Sequence, residues 1–154
     1  MKGSYIAAGL LMVMAASGVE PSYAQPAPPA LQKTTLGDLL DRGGKKLSQA
    51  EMQALIAGAT MSGMQGGNFP DVTYTNVYSA DGAVNGNAWK NKVWFTKING
   101  KWSIDASGQL CANLMNDRQE KITGCQLFYA VGTDYYAVRG DNRAAEAVWR
   151  TISR

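Results

Sequence analysis

The chain carries two cysteines, Cys111 and Cys125, and no histidine. That pair of facts removes much chemistry. Without histidine, a Ser-His-Asp or Cys-His set cannot be built in its usual form, and zinc hydrolysis loses its commonest ligand. No G-x-x-x-x-G-K-[ST] or G-x-G-x-x-G loop is present to cradle a phosphate. No segment sets acidic residues at alternate positions, as a calcium loop requires. The expectation is no catalytic residue, no metal site and no cofactor.

Carboxylates are the remaining catalytic resource. Glycoside hydrolysis needs two of them across a cleft. Asp71, Asp81, Asp105, Asp117, Asp134 and Asp141 all fall near turn signals, where an aspartate commonly bonds its own backbone. Glu51 is better explained as part of a helix cap. A small glycan-directed hydrolase using two turn carboxylates is therefore the alternative reading rather than the leading one.

The cysteines read first as a disulfide, since an even pair in an exported domain usually forms one. Closing a loop of about 15 residues is worth roughly 3 kcal/mol in the chain-entropy model. A metal site, a redox pair or a catalytic thiol would each need further partners, and a thioredoxin-like pair stands two residues apart.

Aromatics are plentiful. Trp89, Trp94, Trp102 and Trp149, with Tyr74, Tyr78, Tyr129, Tyr135 and Tyr136, lie in or beside β-forming runs. Most such rings form the core, although exposed ones can fill a partner's pocket. Trp89 sits in the otherwise polar stretch Asn85 to Asn91 and is the best exposed candidate. With Arg118 and Lys121, from the charged segment between the cysteines, it makes up the candidate binding face. Met52, Met61, Met64 and Met115 read as core fillers.

The elements that must position these residues begin after a leader. Lys2, the apolar run Ile6 to Ala16, and Ser22-Tyr23-Ala24 form the three parts of a secretory signal at residues 1–24. The apolar run is too short for a bilayer core that needs about 20 residues, and no membrane span is expected once the signal is cut. Residues 25–34 open with Gln-Pro-Ala-Pro-Pro-Ala, an extended tether. Residues 35–154 are one β-rich domain of ordinary size. The net charge is +3, and the basic residues are scattered rather than striped, so no nucleic acid is expected as a partner.

Two short helices are predicted first. Thr35 can cap one that carries Leu36, Leu39 and Leu40. Ser48 and Glu51 form a capping box for the other, which ends at Gly58. From Ala59 onward, turn signals alternate with β-forming runs. Asp81-Gly82 and Asn99-Gly100 predict hairpin turns. Residues 144–152 fit a helix or a closing strand, and alternation favours the strand. The predicted fold is α+β: short N-terminal helices packed on an antiparallel β-meander, as a sheet or partly open barrel, with one disulfide.

Several of these segments resemble a known family. Tyr78 to Gly86, Gly100-Lys101-Trp102-Ser103-Ile104-Asp105, Gly108-Gln109-Leu110-Cys111, Cys125 and Asp134-Tyr135-Tyr136 look like small exported proteins of Gram-negative bacteria. That family is catalogued as domain of unknown function nine-nine-five. Leu47-Ser48-x-x-Glu51 and Gly58-x-Thr60-x-x-Gly63 also fit its pattern. The resemblance spans roughly residues 47 to 139. It implies an exported β-rich domain with paired cysteines, and it brings no activity and no site residues.

The functional expectation is an exported, non-enzymatic binding domain, periplasmic or secreted. Its partner would be an unknown protein or glycan of the cell envelope. Self-association as a structural envelope protein is a further alternative.

Overall fold

From Ala59 to the C-terminus, side chains alternate between two environments with the period of two that a strand imposes. In the computed structural model, which describes residues 33–154 apart from 68 and 93, this alternation separates a lumen from an outer wall. The expected leader, and the tether up to residue 32, lie outside the described residues.

Nine strands alternate with or follow two short helices. Helix α1 is Leu36–Asp41 and α2 is Gln49–Ile56, with β1, Lys45–Lys46, between them. The remaining strands are β2 (Ala59–Gly66), β3 (Phe69–Tyr78), β4 (Ala83–Lys90), β5 (Trp94–Ile104), β6 (Leu110–Asn116), β7 (Lys121–Val131), β8 (Asp134–Val138) and β9 (Ala147–Ser153). Each of β2 to β8 pairs antiparallel with the strand that follows it. The meander does not stay a sheet, because β9 pairs back onto β2, with Met61 opposite Ile152 and Gly63 opposite Arg150. Eight strands therefore close into an up-and-down barrel, and β1 is an extra strand laid on β7.

The helices cover what the barrel leaves open. Ser48 Oγ accepts from the Glu51 amide, and the Glu51 carboxylate accepts from the Ser48 amide at 2.7 Å, which starts α2. Met52 and Ile56 of α2 are fully buried against the lumen's hydrophobic cluster. Trp102 lies in that cluster, its ring edge against Tyr78 at 6.2 Å and its indole N–H on the Ser79 carbonyl. Helix α1 buries Leu36 and Leu39 on a second cluster, with Leu127, Tyr129, Val138 and Ala147. Those four project outward from β7, β8 and β9, so this stretch of wall is apolar on both faces.

Cys111 and Cys125 form a disulfide between directly opposed residues of β6 and β7. Such a bond belongs to an oxidising compartment. β6 and β7 run through most of the residues between the cysteines, and the polar stretch 116–121 contains the exposed turn at 117–120.

Two expectations are corrected. Asn99-Gly100 is not a hairpin turn, since β5 runs unbroken through both residues. The glycine serves a close approach instead: a Cβ there would collide with the Asn113 carbonyl of β6. Among the tryptophans, Trp89 is not the most exposed. It is half-buried, whereas Trp149 is 52 % exposed. Residues 147–153 form the closing strand rather than a helix.

Two measurements follow. Reduction of the disulfide, or the double change Cys111→Ala with Cys125→Ala, lowers unfolding stability by roughly 3 kcal/mol in urea titrations. Amide exchange then rises most along residues 121–126, which β8 does not reach. The second concerns acid. Asp105 accepts from the Gln109 amide at 2.8 Å and from Ser107; these bonds hold its carboxyl below the usual 3.8. Glu51 and Asp38 are lowered in the same way by bonds from Ser48 and Thr35. A depressed carboxyl contributes stability that is complete above its ordinary pKa and is lost as the pH falls through the depressed value. Melting temperature therefore holds down to about pH 5 and drops below about pH 4, and Asp105→Asn flattens part of that acid limb.

Candidate functional site

An eight-stranded barrel is just wide enough for side chains to fill its interior or to hold one small ligand. Which outcome applies depends on the inward residues. Here Gly63, Gly86, Gly100 and Gly124 occupy inward positions, with Ala88 and Ala112. Gly86 and Gly100 have no room for a Cβ, because neighbouring strands press on them. Gly124 is different, with nothing within 4 Å of where its Cβ would stand. A cavity of about 100 Å³ remains in the lumen beside it.

On the β5–β7 side the cavity is lined by Ile98, Leu114 and Ile122, and Met61 of β2 adds an apolar side chain between β3 and β9. The other side carries polar groups. β3 contributes Tyr74, Asn76 and Tyr78, and β9 contributes Arg150. Gln65 near the end of β2, Gln126 opposite Leu110, and Arg139 just after β8 add to the polar lining.

Arg150 dominates the electrostatics. It is only 2 % exposed. Its side chain packs against Gly63, where a Cβ would come within 2.9 Å of Nη1. Nη1 donates to the Met64 carbonyl at 2.7 Å and to the Trp149 carbonyl at 3.1 Å. The guanidinium carbon sits 5.4 Å from the centre of the Tyr74 ring, a cation–π contact. Nε has no partner. No carboxylate among the described residues pairs with Arg150; the ion pairs Lys90–Asp71 and Arg143–Asp41 are both on the surface. The cavity lining holds two arginines and no acidic side chain.

Burial pulls the Arg150 guanidinium below its ordinary value, yet an arginine keeps its proton in proteins. Burial likewise pushes the Tyr74 and Tyr78 hydroxyls up, so both stay neutral. At neutral pH the lumen thus holds an uncompensated positive charge. A second orphan lies on the same wall: Asn76, 3 % exposed, has an unpartnered Oδ1. Two residues that line the cavity thus each carry a buried polar atom without a partner, one a donor on a cation and one an acceptor.

Access is through the wall. β8 pairs with β7 only from Leu127 to Val131. Residues 121–126 pair with β6 on one edge, and no described strand occupies the other. Thr123, Gly124 and Gln126 of this stretch line the cavity, with Arg139, where the chain leaves β8. The opening is a side gap between the start of β7 and the end of β8.

The residues singled out from sequence lie elsewhere. Trp89 is on β4, opposite Thr73 and Phe95. Arg118 is exposed in the β6–β7 turn, its amide donating to Asn116 Oδ1 at 3.0 Å. Lys121 opens β7 and is exposed. Arg118 and Lys121 flank one turn, while β5 separates that turn's strand from Trp89. None of the three lines the cavity. Of the aspartates, Asp81, Asp105, Asp117 and Asp141 lie between strands, where Asp81 caps the Ala83 amide and Asp117 takes the hydroxyl of buried Thr96; Asp71 instead lies within β3, paired with Lys90, and Asp134 opens β8. Sequence reasoning passed over Arg150, Asn76 and Gly124. The usable signal was an arginine between Val148 and Ile152 on one face of a closing strand.

No family model, curated protein or solved structure matches the chain.

Arg150→Met tests the energetics. Breaking a buried, paired charge typically costs about 3 to 5 kcal/mol. Here relief of desolvation offsets the loss of two bonds to carbonyls, and the variant stays within about 1 kcal/mol of the parent in urea denaturation.

Proposed function

We propose that this chain is an exported, non-enzymatic binding domain, and that the barrel lumen is its ligand site. The single observation that carries this reading is the unfilled lumen cavity with a buried, uncompensated arginine in its wall. A cavity kept only for packing would be filled with apolar side chains, since voids and lone buried charges both cost stability. A concave, largely apolar pocket with a few convergent polar groups is the usual form of a small-molecule site. Export to the periplasm or beyond is supported by the disulfide and by the leader-like N-terminus. The absence of carboxylates around the cavity weighs against a two-carboxylate hydrolase working there.

A second reading has its own observation. Trp149 at 52 % and Phe69 at 50 % exposure give the outer wall large apolar side chains that suit a protein partner or self-association. Concentration-independent light scattering, unchanged by Trp149→Ser, would remove the self-association variant.

The lumen reading predicts that a small-molecule fragment set, screened by two-dimensional amide NMR, shifts resonances of Asn76, Gly124 and Arg150 together. Gly124 is not held at positive φ, so Gly124→Leu narrows the gap without backbone strain and abolishes those shifts while the melting temperature holds. A ligand present at about 100 times its Kd raises stability by roughly 2.7 kcal/mol. Shifts confined to the outer wall would contradict the reading.

A further inference from the structure

We infer that the lumen takes a monocarboxylate with an apolar body, its carboxylate on Arg150 and its stem directed to the gap at Gly124. This rests on the lumen reading and narrows it to one chemistry.

The charge argument comes first. Arg150 is 2 % exposed and no described acidic group meets it. Its Nη1 is occupied by two backbone carbonyls, whereas Nε has no acceptor. A free N–H on a buried cation calls for an anionic oxygen, the partner with which a guanidinium forms its strongest hydrogen bonds.

The count of charges selects the anion. Arg150 is the one buried cation of the lining. Arg139, the other lining arginine, is exposed and keeps its own hydration. One negative charge balances the lumen. A phosphate, carrying close to two, would leave an excess charge in an apolar enclosure, which is strongly unfavourable. Ile98, Leu114 and Ile122 on the β5–β7 side, with Met61 beside Arg150's strand, ask for hydrocarbon rather than a second polar group.

Size and access set the shape. About 100 Å³ accommodates a carboxylate and a short stem. A longer stem leaves past Gly124, where no atom stands within 4 Å of a would-be Cβ. Tyr74, whose ring lies under the guanidinium, and Gly63, which leaves room for it, fix the place of the Arg150 side chain.

The test is calorimetric titration of the oxidised protein with acetate, butyrate, hexanoate and octanoate, beside hexanamide and inorganic phosphate. Hexanoate is expected to bind at least about tenfold tighter than hexanamide and phosphate. Affinity is expected to rise from acetate to hexanoate. Arg150→Gln should remove the preference for acid over amide, and Arg150→Lys should weaken it because the planar fork is lost. Gly124→Leu should weaken octanoate more than acetate. Equal binding of hexanoate and hexanamide, or tighter binding of phosphate, overturns the carboxylate assignment and leaves the lumen reading standing. If nothing in the set binds, and the fragment screen also leaves the lumen resonances unmoved, both readings fall.

Discussion

Closure of the meander by β9 on β2 is the constraint from which the rest follows. Once that pairing exists, every strand residue faces either the lumen or the outer wall. The register that sets Gly63 opposite Arg150 puts the arginine inside. An open sheet would let this side chain reach water from one face. In the closed barrel it cannot, and its hydration is replaced by two carbonyls and an aromatic ring. Gly63 is required for the same reason, because any side chain there would occupy the space of the guanidinium. A single pair of strands, distant in sequence, thus produces the shape of the lumen and its charge together.

Local chemistry was legible wherever neighbours in sequence are neighbours in space. Asp81-Gly82 marks a real hairpin, since Gly82 takes the positive φ that the turn demands. Cys111 and Cys125 pair because their strands are consecutive and their register places them opposite. Asn99-Gly100 misled for a reason in the packing. Both residues suit a turn, but Gly100 is there because β6 crosses too close for a side chain. A local pattern cannot distinguish those two demands on a glycine.

The candidate site was less legible because it is assembled from distant strands. Tyr74, Asn76 and Tyr78 alternate inward along β3, and Arg150 arrives from β9 on the far side of the closure. Alternation places Arg150 on one face with Val148 and Ile152, but does not say which face is inside. Trp89, Arg118 and Lys121 drew notice by local composition instead, and composition reports surfaces better than interiors. Gly124 gave no signal, since its significance is the empty space in front of it.

The disulfide connects the stability of the wall with the opening in it. Residues 121–126 are held by β6 alone. Strand edges of this kind tend to fray or to recruit another strand. Cys125 lies next to Gly124, and its bond to Cys111 ties this weakest part of the barrel to β6. The side chains alternate, so the sulfurs stand outside while Gly124 and Ala112 face the cavity. A gap can then persist beside a free edge without the wall coming apart. Filling the lumen with apolar side chains and extending β8 by a few residues would brace the same wall without a covalent bond. The chain instead keeps the gap, the small inward residues and the lone arginine. All three weaken packing, and all three belong to one route from solvent to a buried charge.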